Sequence, residues 1–345
     1  MEKEQKRERE KEKVRERERK KKVERDQNRK DTVATSCMLL PFNHCWRYLS
    51  TTIRTQKQMA SSSIPKKIRN AGILIIGDEV LNGKILDTNS YNFARFCFNQ
   101  LSIPLKRTIV CGDDEADIKQ SLDVLLNQDN LDFVVTSGGL GSTHDDITYE
   151  VLADYFGLDY KIDDQVVERM KSLRGDYLTK LDKDQLSAFY RMATLPTSRA
   201  GCKISTNNLF FDDSLWFPIL EIDERVYVLP GVPQLFTRLL NDMKQHLQRR
   251  VTSLKLSRRY VVTKSGETQI APFLTKLQQE CNATYGNGTI KLGSYPHMEM
   301  KMNTISVVGK NDTPGDSLDD VITQLLENIG GEAKEISQAE EDQLK

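Results

Sequence analysis

Tryptophan and histidine are scarce in this 345-residue chain, with two Trp and four His, and aromatic residues make up only 7%. The six cysteines, at positions 37, 45, 97, 111, 202 and 281, form no C-x-x-C pair. Without a Cys/His cluster nothing supports a structural zinc site. Cys97 and Cys111 fall inside apolar patterns, as reduced core thiols of a cytosol-like compartment would. No apolar run approaches the roughly 20 residues of a membrane span. No internal repeat is present. Residues 38–70 contain no acidic side chain at all, against six basic ones.

Charge is present in quantity but unevenly spread. Overall 29% of residues are charged, 38% are hydrophobic, and the formal net charge is zero. Residues 1–30 hold fifteen Lys/Arg and nine Asp/Glu with almost no apolar side chain. Such a segment cannot bury enough surface to offset its ordering entropy. Residues 71–345 hold 29 basic and 40 acidic side chains, a net charge of −11. An acidic body argues against nucleic acid as a ligand of the folded core. From Met38 the composition turns to hydroxyls, arginines and aromatics, which resembles a mitochondrial presequence, although 37 residues precede it. The alternative is a low-complexity linker. The expected location is cytoplasmic, or mitochondrial if translation begins at Met38. The expected organisation is a charged tail with a targeting-like segment over 1–67, an α/β domain over 68–252, a small α/β module over 253–330, and a loose tail over 331–345.

Ala71–Ile76 is a continuous apolar run, as expected of a strand in the centre of a parallel sheet. Leu105–Val110, Leu131–Thr136 and Arg225–Leu229 read as further strands. Helical patterns follow at 88–100, 115–126 and 147–155, then over 164–192 and from Val232 to about Arg249. Alternating strand and helix predicts a three-layer α/β sandwich with a mostly parallel sheet. Beyond residue 252 short strands alternate with helices at 268–281 and 317–328. No segment is apolar enough to enter a membrane.

The stretch V-V-T-S-G-G-L-G-S-T-H-D-D, Val134–Asp146, is the centre of the functional reading. A strand, a glycine loop and a helix start are the arrangement that turns backbone N–H groups toward an anion. Adjacent carboxylates at Asp145 and Asp146 beside a phosphate site suggest a divalent cation. A second acidic loop, G-D-E-V-L-N-G-K-I-L-D-T-N, runs from Gly77 to Asn89. It is not a P-loop, because five residues rather than four separate Gly77 from Gly83 and Ile85 stands where Ser/Thr is required. The glycine loop is not a dinucleotide fingerprint, because His144 holds the third glycine position. Both loops leave strands at their carboxyl ends, where ligands of such sheets lie. Two acidic loops flanking a glycine loop suit metal-dependent attack on a phosphoanhydride.

Five motifs in order carry a resemblance: G-D-E-x-L-x-G (Gly77–Gly83), D-T-N (Asp87–Asn89), T-S-G-G-L-G-S-T-x-D-D (Thr136–Asp146), L-P-G-V-P (Leu229–Pro233) and G-S-Y-P (Gly293–Pro296). Together they resemble the molybdopterin-binding domain family of the MoaB/Mog type. The likeness runs over about residues 70–310 and leans to the branch of CinA and the N-terminal half of FAD synthase. Ser142 stands where the family usually has Pro. G-S-Y-P with Lys291 favours that branch over the molybdopterin insertases. The resemblance implies hydrolysis of a nucleotide diphosphate, FAD to FMN and AMP or ADP-ribose, with Mg, Mn or Co as the divalent metal. The rivals are a molybdopterin-binding or adenylylating protein and a non-catalytic nucleotide-binding protein. The domains that would synthesise FAD or deamidate a nicotinamide nucleotide are not expected. A small-molecule dinucleotide substrate and a homo-oligomer are.

Carried onto this sequence, the resemblance gives each residue a role. Asp78, Glu79 and Asp145 are expected at the metal. Asp145 or Asp146 would serve as general base, with Asp87 also at the reacting centre. Gly138, Gly139, Gly141, Ser142 and Thr143 would cradle the diphosphate. Asn89 would hold the ribose with Asp87. Pro230 and Gly231 would shape the adenine side. Lys291, Ser294 and Tyr295 would close the site from the second module.

Overall fold

The computed structural model describes residues 65–252, 256–310 and 317–344. The expectations for the charged tail and the presequence-like segment lie outside the described residues. The stretch Ser63–Lys345 forms one compact unit.

Four parallel strands build the centre: β1 (Ala71–Ile76), β2 (Leu105–Cys111), β3 (Phe133–Ser137) and β8 (Val226–Leu229). Two antiparallel strands, β7 (Ile219–Ile222) and β6 (Thr206–Leu209), extend the sheet, giving the order β2-β1-β3-β8-β7-β6. Every residue of β1, β3 and β8 is buried. This is why these strands read as unbroken apolar runs rather than alternating ones. Side chains still alternate between two cores. Leu74 and Ile76 pack with Ile118, Leu122 and Leu152 on one face. Ile73 and Ile75 pack with Phe93, Phe133 and Phe236 on the other. Two helical layers thus sandwich the sheet, confirming the three-layer α/β expectation.

Helix α1 (Asn89–Arg95) runs on into a π-helical turn, Phe96–Leu101, and α2 (Glu115–Asp123) into another, Val124–Gln128. Asp114 caps α2 by accepting from the Ala116 and Asp117 amides. Helix α3 (Thr148–Phe156) follows the glycine loop and ends at Gly157, whose φ of 64° suits glycine. The helical reading of 164–192 resolves into α4 (Asp164–Leu178) and α5 (Lys183–Arg191), separated by a capping box at Asp182 and Gln185. A small antiparallel pair, β4 (Asp159–Ile162) and β5 (Thr194–Thr197), brackets them. Helices α6 (Pro233–Asp242) and α7 (Lys244–Gln248) close the domain.

The C-terminal module is a four-stranded antiparallel sheet in the order β10-β11-β9-β12. Its strands are β9 (Leu256–Thr263), β10 (Ile290–His297), β11 (Met302–Lys310) and β12 (Lys334–Ile336). Helices α8 (Glu267–Tyr285) and α9 (Ser317–Asn328) cover one face, where Val261, Ile290, Ile305 and Val307 meet Ile270, Leu277 and Leu325. The expected loose tail over 331–345 is corrected. β12 pairs with β9 and is followed by α10 (Gln338–Asp342), capped by Ser337. Backbone pairing to a strand edge needs no apolar run, so the polar composition concealed it. Among the described residues no helix is long and apolar enough to cross a membrane.

Candidate functional site

The carboxyl ends of β1, β3 and β8 open onto one cavity of about 500 Å³. Glu79, Asp87, Asn89, Gly138, Gly139, Gly141, Asp146, Pro230 and Gly231 line it, so most of the residues singled out in the sequence share one wall. Ile85, Leu86, Trp216, Phe217 and Val232 supply an apolar side that the sequence alone did not assign to the site. An apolar cavity with a few convergent polar groups is the usual form of a small-molecule site.

Its floor is backbone. Gly138, at φ 115°, lies over the end of β1, and a side chain there would run into the Ile76 carbonyl. A Cβ on Gly231 would stand 3.2 Å from the Gly138 Cα, so the loops after β3 and β8 touch main chain to main chain. Glycine is required at Gly138, where positive φ and the Ile76 carbonyl leave no room for a side chain, while at Gly231 a Cβ would be tight against the loop. Thr148 fastens the loop to α3 by donating to the Gly138 carbonyl at 2.9 Å.

The loop amides are divided between protein and cavity. The Asp146 carboxylate accepts from the Gly141 amide at 2.6 Å, the Thr143 amide at 3.0 Å and the Thr143 hydroxyl. The Gly138 amide donates to the Leu229 carbonyl. The expected diphosphate cradle therefore narrows. The amides of Gly138, Gly141 and Thr143 are already engaged, while those of Gly139, Leu140 and Ser142 have no protein acceptor among the described residues. Asp146 stands as the staple of the loop, with both oxygens occupied. Arg191 clamps the same turn from α5, donating to the carbonyls of Thr143 at 2.7 Å and Asp146 at 3.3 Å. Arg191 reads in sequence as one more charge on an amphipathic helix, with nothing to mark it for the site. Asp146→Ala should release this turn. Hydrogen exchange at the Gly141 and Thr143 amides should accelerate at least tenfold with the global melting point little changed. Unchanged exchange would remove Asp146 as the staple.

Asn89 holds the wall together and faces the ligand space. Its Nδ2 donates to the Gly231 carbonyl at 2.8 Å and to Ser137 Oγ at 3.0 Å. A carbonyl only accepts, so the amide orientation is fixed and Oδ1 points elsewhere. That Oδ1 is buried without a partner. A buried acceptor left unpaired costs about 1–3 kcal/mol, so a ligand donor is its natural complement. Asn89→Ala should raise the KM or Kd for a hydroxyl-bearing ligand about tenfold or more, as equilibrium titration would register. An unchanged affinity would remove Asn89 from ligand contact. Asp87 spends one oxygen on the Ser90 amide at 2.9 Å, at the start of α1.

Acidic side chains gather at the rim from three loops. Asp113, after β2, accepts from the Asp78 amide at 3.0 Å. Burial raises its carboxyl above the usual range, and the nearby charges of Glu79, Asp78 and Asp145 raise it further. The two loops picked out in the sequence thus meet around a third, the Gly112-Asp113-Asp114 turn that leads into α2. Asp145 itself is exposed, and its carboxyl is held below the usual range by hydrogen bonds from Thr143 and the local backbone, with His144 and Arg191 nearby. His144 is almost fully exposed.

Lys291, Ser294 and Tyr295 do not line this cavity. Ser294 donates to Glu267 at 3.0 Å, and Lys291 and Tyr295 border a second cavity described below.

Comparison with known proteins agrees with this geometry. Residues 72–249 match the model of a family described as a probable molybdopterin binding domain. A probable FAD synthase of Caenorhabditis elegans is 27% identical over 280 residues, covering 76% of this chain and 50% of that protein. A CinA-like protein of Mycobacterium tuberculosis is 41% identical over 166 residues, covering 48% of this chain and 38% of that one. The chain thus spans half or less of the length of these relatives. A solved structure of CinA from Thermoplasma acidophilum, a protein described as of unknown function, is 28% identical and covers 52% of this chain and 98% of its own, with a TM-score of 0.44. With the matched residues taking in the glycine loop, the acidic rim and the L-P-G-V-P turn, the chain belongs to the family of probable molybdopterin binding domains.

Proposed function

We propose that the chain is a metal-dependent nucleotide diphosphatase that cleaves FAD to FMN and AMP, or ADP-ribose to AMP and ribose phosphate. The observation that supports the reading is a backbone-amide loop lining one cavity together with Glu79, which belongs to an acidic cluster drawn from three loops. The free amides of Gly139, Leu140 and Ser142 would take the diphosphate oxygens, with the N-terminus of α3 behind them. Asn89 Oδ1 would accept from a sugar hydroxyl. The wall of Trp216, Phe217 and Leu86 suits a flat ring.

The donor set at the rim fits a hard, oxygen-liganded cation. Burial comes first in raising the Asp113 carboxyl, the charges of Glu79, Asp78 and Asp145 add to it, and a divalent ion would relieve that repulsion. No three metal-ligating side chains form a ready cluster among the described residues. Asp78, Glu79, Asp113 and Asp145 would therefore hold the ion partly through water, as magnesium tolerates. When bound, the ion would neutralise the diphosphate and make a water more acidic. A water oxygen then bonds to one phosphorus, the bridging P–O bond breaks, and two phosphomonoesters leave. Asp145, ionised and exposed, is the carboxylate placed to take the proton from that water.

Incubation of the full chain with FAD and with ADP-ribose, each with Mg²⁺, Mn²⁺ or Co²⁺ or with chelator, tests the proposal. Metal-dependent release of AMP is expected, and Asp145→Asn should abolish it while the protein stays folded. No AMP under any metal would overturn it. The matched family's description supports a second reading, pterin binding in the same cavity. Tight molybdopterin binding without turnover of either dinucleotide would favour that reading.

A further inference from the structure

We infer that the cleft between the α/β domain and the face of the module sheet opposite α8 and α9 is a second, separate binding site. Its ligand is a phosphorylated small molecule carrying a flat ring, the class represented by a nucleoside monophosphate. The inference goes beyond the diphosphatase reading and shares no lining residue with that site.

The cleft has a volume of about 660 Å³, within the range of small-molecule sites. One wall is the end of the α1 segment and the start of β2, with Phe98, Pro104 and Lys106. The other is the sheet face that α8 and α9 leave open. Period-two alternation puts Leu256 and Arg258 of β9, Ser306 and Val308 of β11, and Lys291, Gly293 and Tyr295 of β10 on that face. Register aligns Lys291, Val308 and Arg258 in one row. Two strand spacings separate the row's cations by roughly 10 Å, the reach of a phosphate group held between two long side chains.

Charge names the ligand. Arg69, Lys106, Arg258 and Lys291 line the cleft, and no Asp or Glu does. Arg69 is paired with Asp132, but Lys106 and Lys291 meet no carboxylate among the described residues. Arg258 is pinned over the Phe98 ring, 4.1 Å from its centroid. On a body of net charge −11 an acid-free cleft with four cations is a local reversal of sign. Concave low-dielectric walls focus such a field onto anions.

Shape adds the ring. Gly293 contributes no side chain to the middle of the face. A Cβ there would stand 3.1 Å from the Tyr295 hydroxyl and 3.2 Å from Ser306 Oγ, so glycine keeps both hydroxyls open to the cleft. Tyr295 is half exposed, so its ring is open to the cleft. With Phe98 opposite, a flat ring has a face to lie on.

Hydrogen exchange of the full chain with AMP, adenosine and inorganic phosphate tests the site. AMP should slow exchange in 256–263 and 290–297, and phosphate should do so more weakly. The double variant Arg258→Glu, Lys291→Glu should need at least tenfold more AMP for the same protection. Both side chains are exposed, so its melting point should match the parent, and Lys291→Arg should retain binding. Protection by adenosine equal to that by AMP, or protection unchanged in the double variant, would overturn the inference. So would protection confined to 137–149 and 230–233, a result that leaves the diphosphatase reading standing. Protection of the module strands in a protein that hydrolyses neither dinucleotide would sink that reading and keep this one.

Discussion

Gly138→Ala is expected to be the most damaging single-methyl change in the chain. The residue sits at φ 115°, outside the range that L side chains accept. The new methyl would collide with the Ile76 carbonyl oxygen, which belongs to the backbone at the end of a fully buried strand and cannot rotate away. Relief would require moving β1 or the loop, and the loop is held by Leu229, Thr148 and the contact with Gly231. Strain and steric clash together predict a loss of roughly 3–5 kcal/mol, at the upper end of point-mutant effects. Gly83→Ala is the control. It also has positive φ, 74°, but open space around it, and should cost only about 1 kcal/mol. Denaturant titration of both variants measures the contrast, and equal stabilities would mean that the loop adopts another path. Any folded fraction of Gly138→Ala should have lost ligand affinity, since the displaced loop no longer aims its amides.

A second large effect is expected far from the ligand space. Glu221 and Arg250 form a nearly inaccessible ion pair, their side chains 4% and 6% exposed, at 3.3 Å. Arg250 also donates to the carbonyls of Lys66 and Glu224, and Tyr227 donates to Glu221 at 2.5 Å. Asn207 and His246 complete the carboxylate's partners at 2.9 and 3.2 Å. Arg250→Met leaves the buried carboxylate short of its countercharge and should cost about 3–5 kcal/mol. Glu221→Leu should also destabilise, by stranding the guanidinium.

The two differ in acid. Burial alone would raise the Glu221 carboxyl, but hydrogen bonds from Tyr227, Asn207 and His246 outweigh it and leave it below its ordinary 4.5. The unfolded chain therefore binds the extra proton first as pH falls, and stability rises with pH across that window. The contribution is complete above the unfolded value and is lost as pH drops through the folded one. Glu221→Leu should flatten this part of the acid-unfolding curve. If the curve kept its slope, another carboxylate would carry the acid response.

How much of this was legible beforehand follows from burial. β1, β3 and β8 are buried on both faces and announce themselves as apolar runs. β6, Thr-Asn-Asn-Leu, sits at the sheet edge, and β7 carries Glu221 into the interior, so neither has a pattern that a window of residues reveals. The G-S-Y-P motif, Gly293–Pro296, lies within β10, at the edge of its sheet, where a proline is tolerated. At the site, Asn89, the glycines and the two acidic loops were visible because their residue types have few other uses in such order. Asp113 and Arg191 were not. Each joins the site only because the parallel sheet brings its loop or helix to the same rim, which is a property of topology rather than of neighbours in sequence.

The cavity floor is main chain and the cavity wall is side chain, and the two have different freedom to diverge. An exchange at Gly138 would break the architecture, and one at Gly231 would crowd it, so the floor has little freedom to vary. Ile85, Leu86 and Val232 stand exposed on the wall, outside the buried core. Swapping them is the open route by which descendants of one anion-binding scaffold could come to prefer a flavin, an adenosine or a pterin without relearning how to fold.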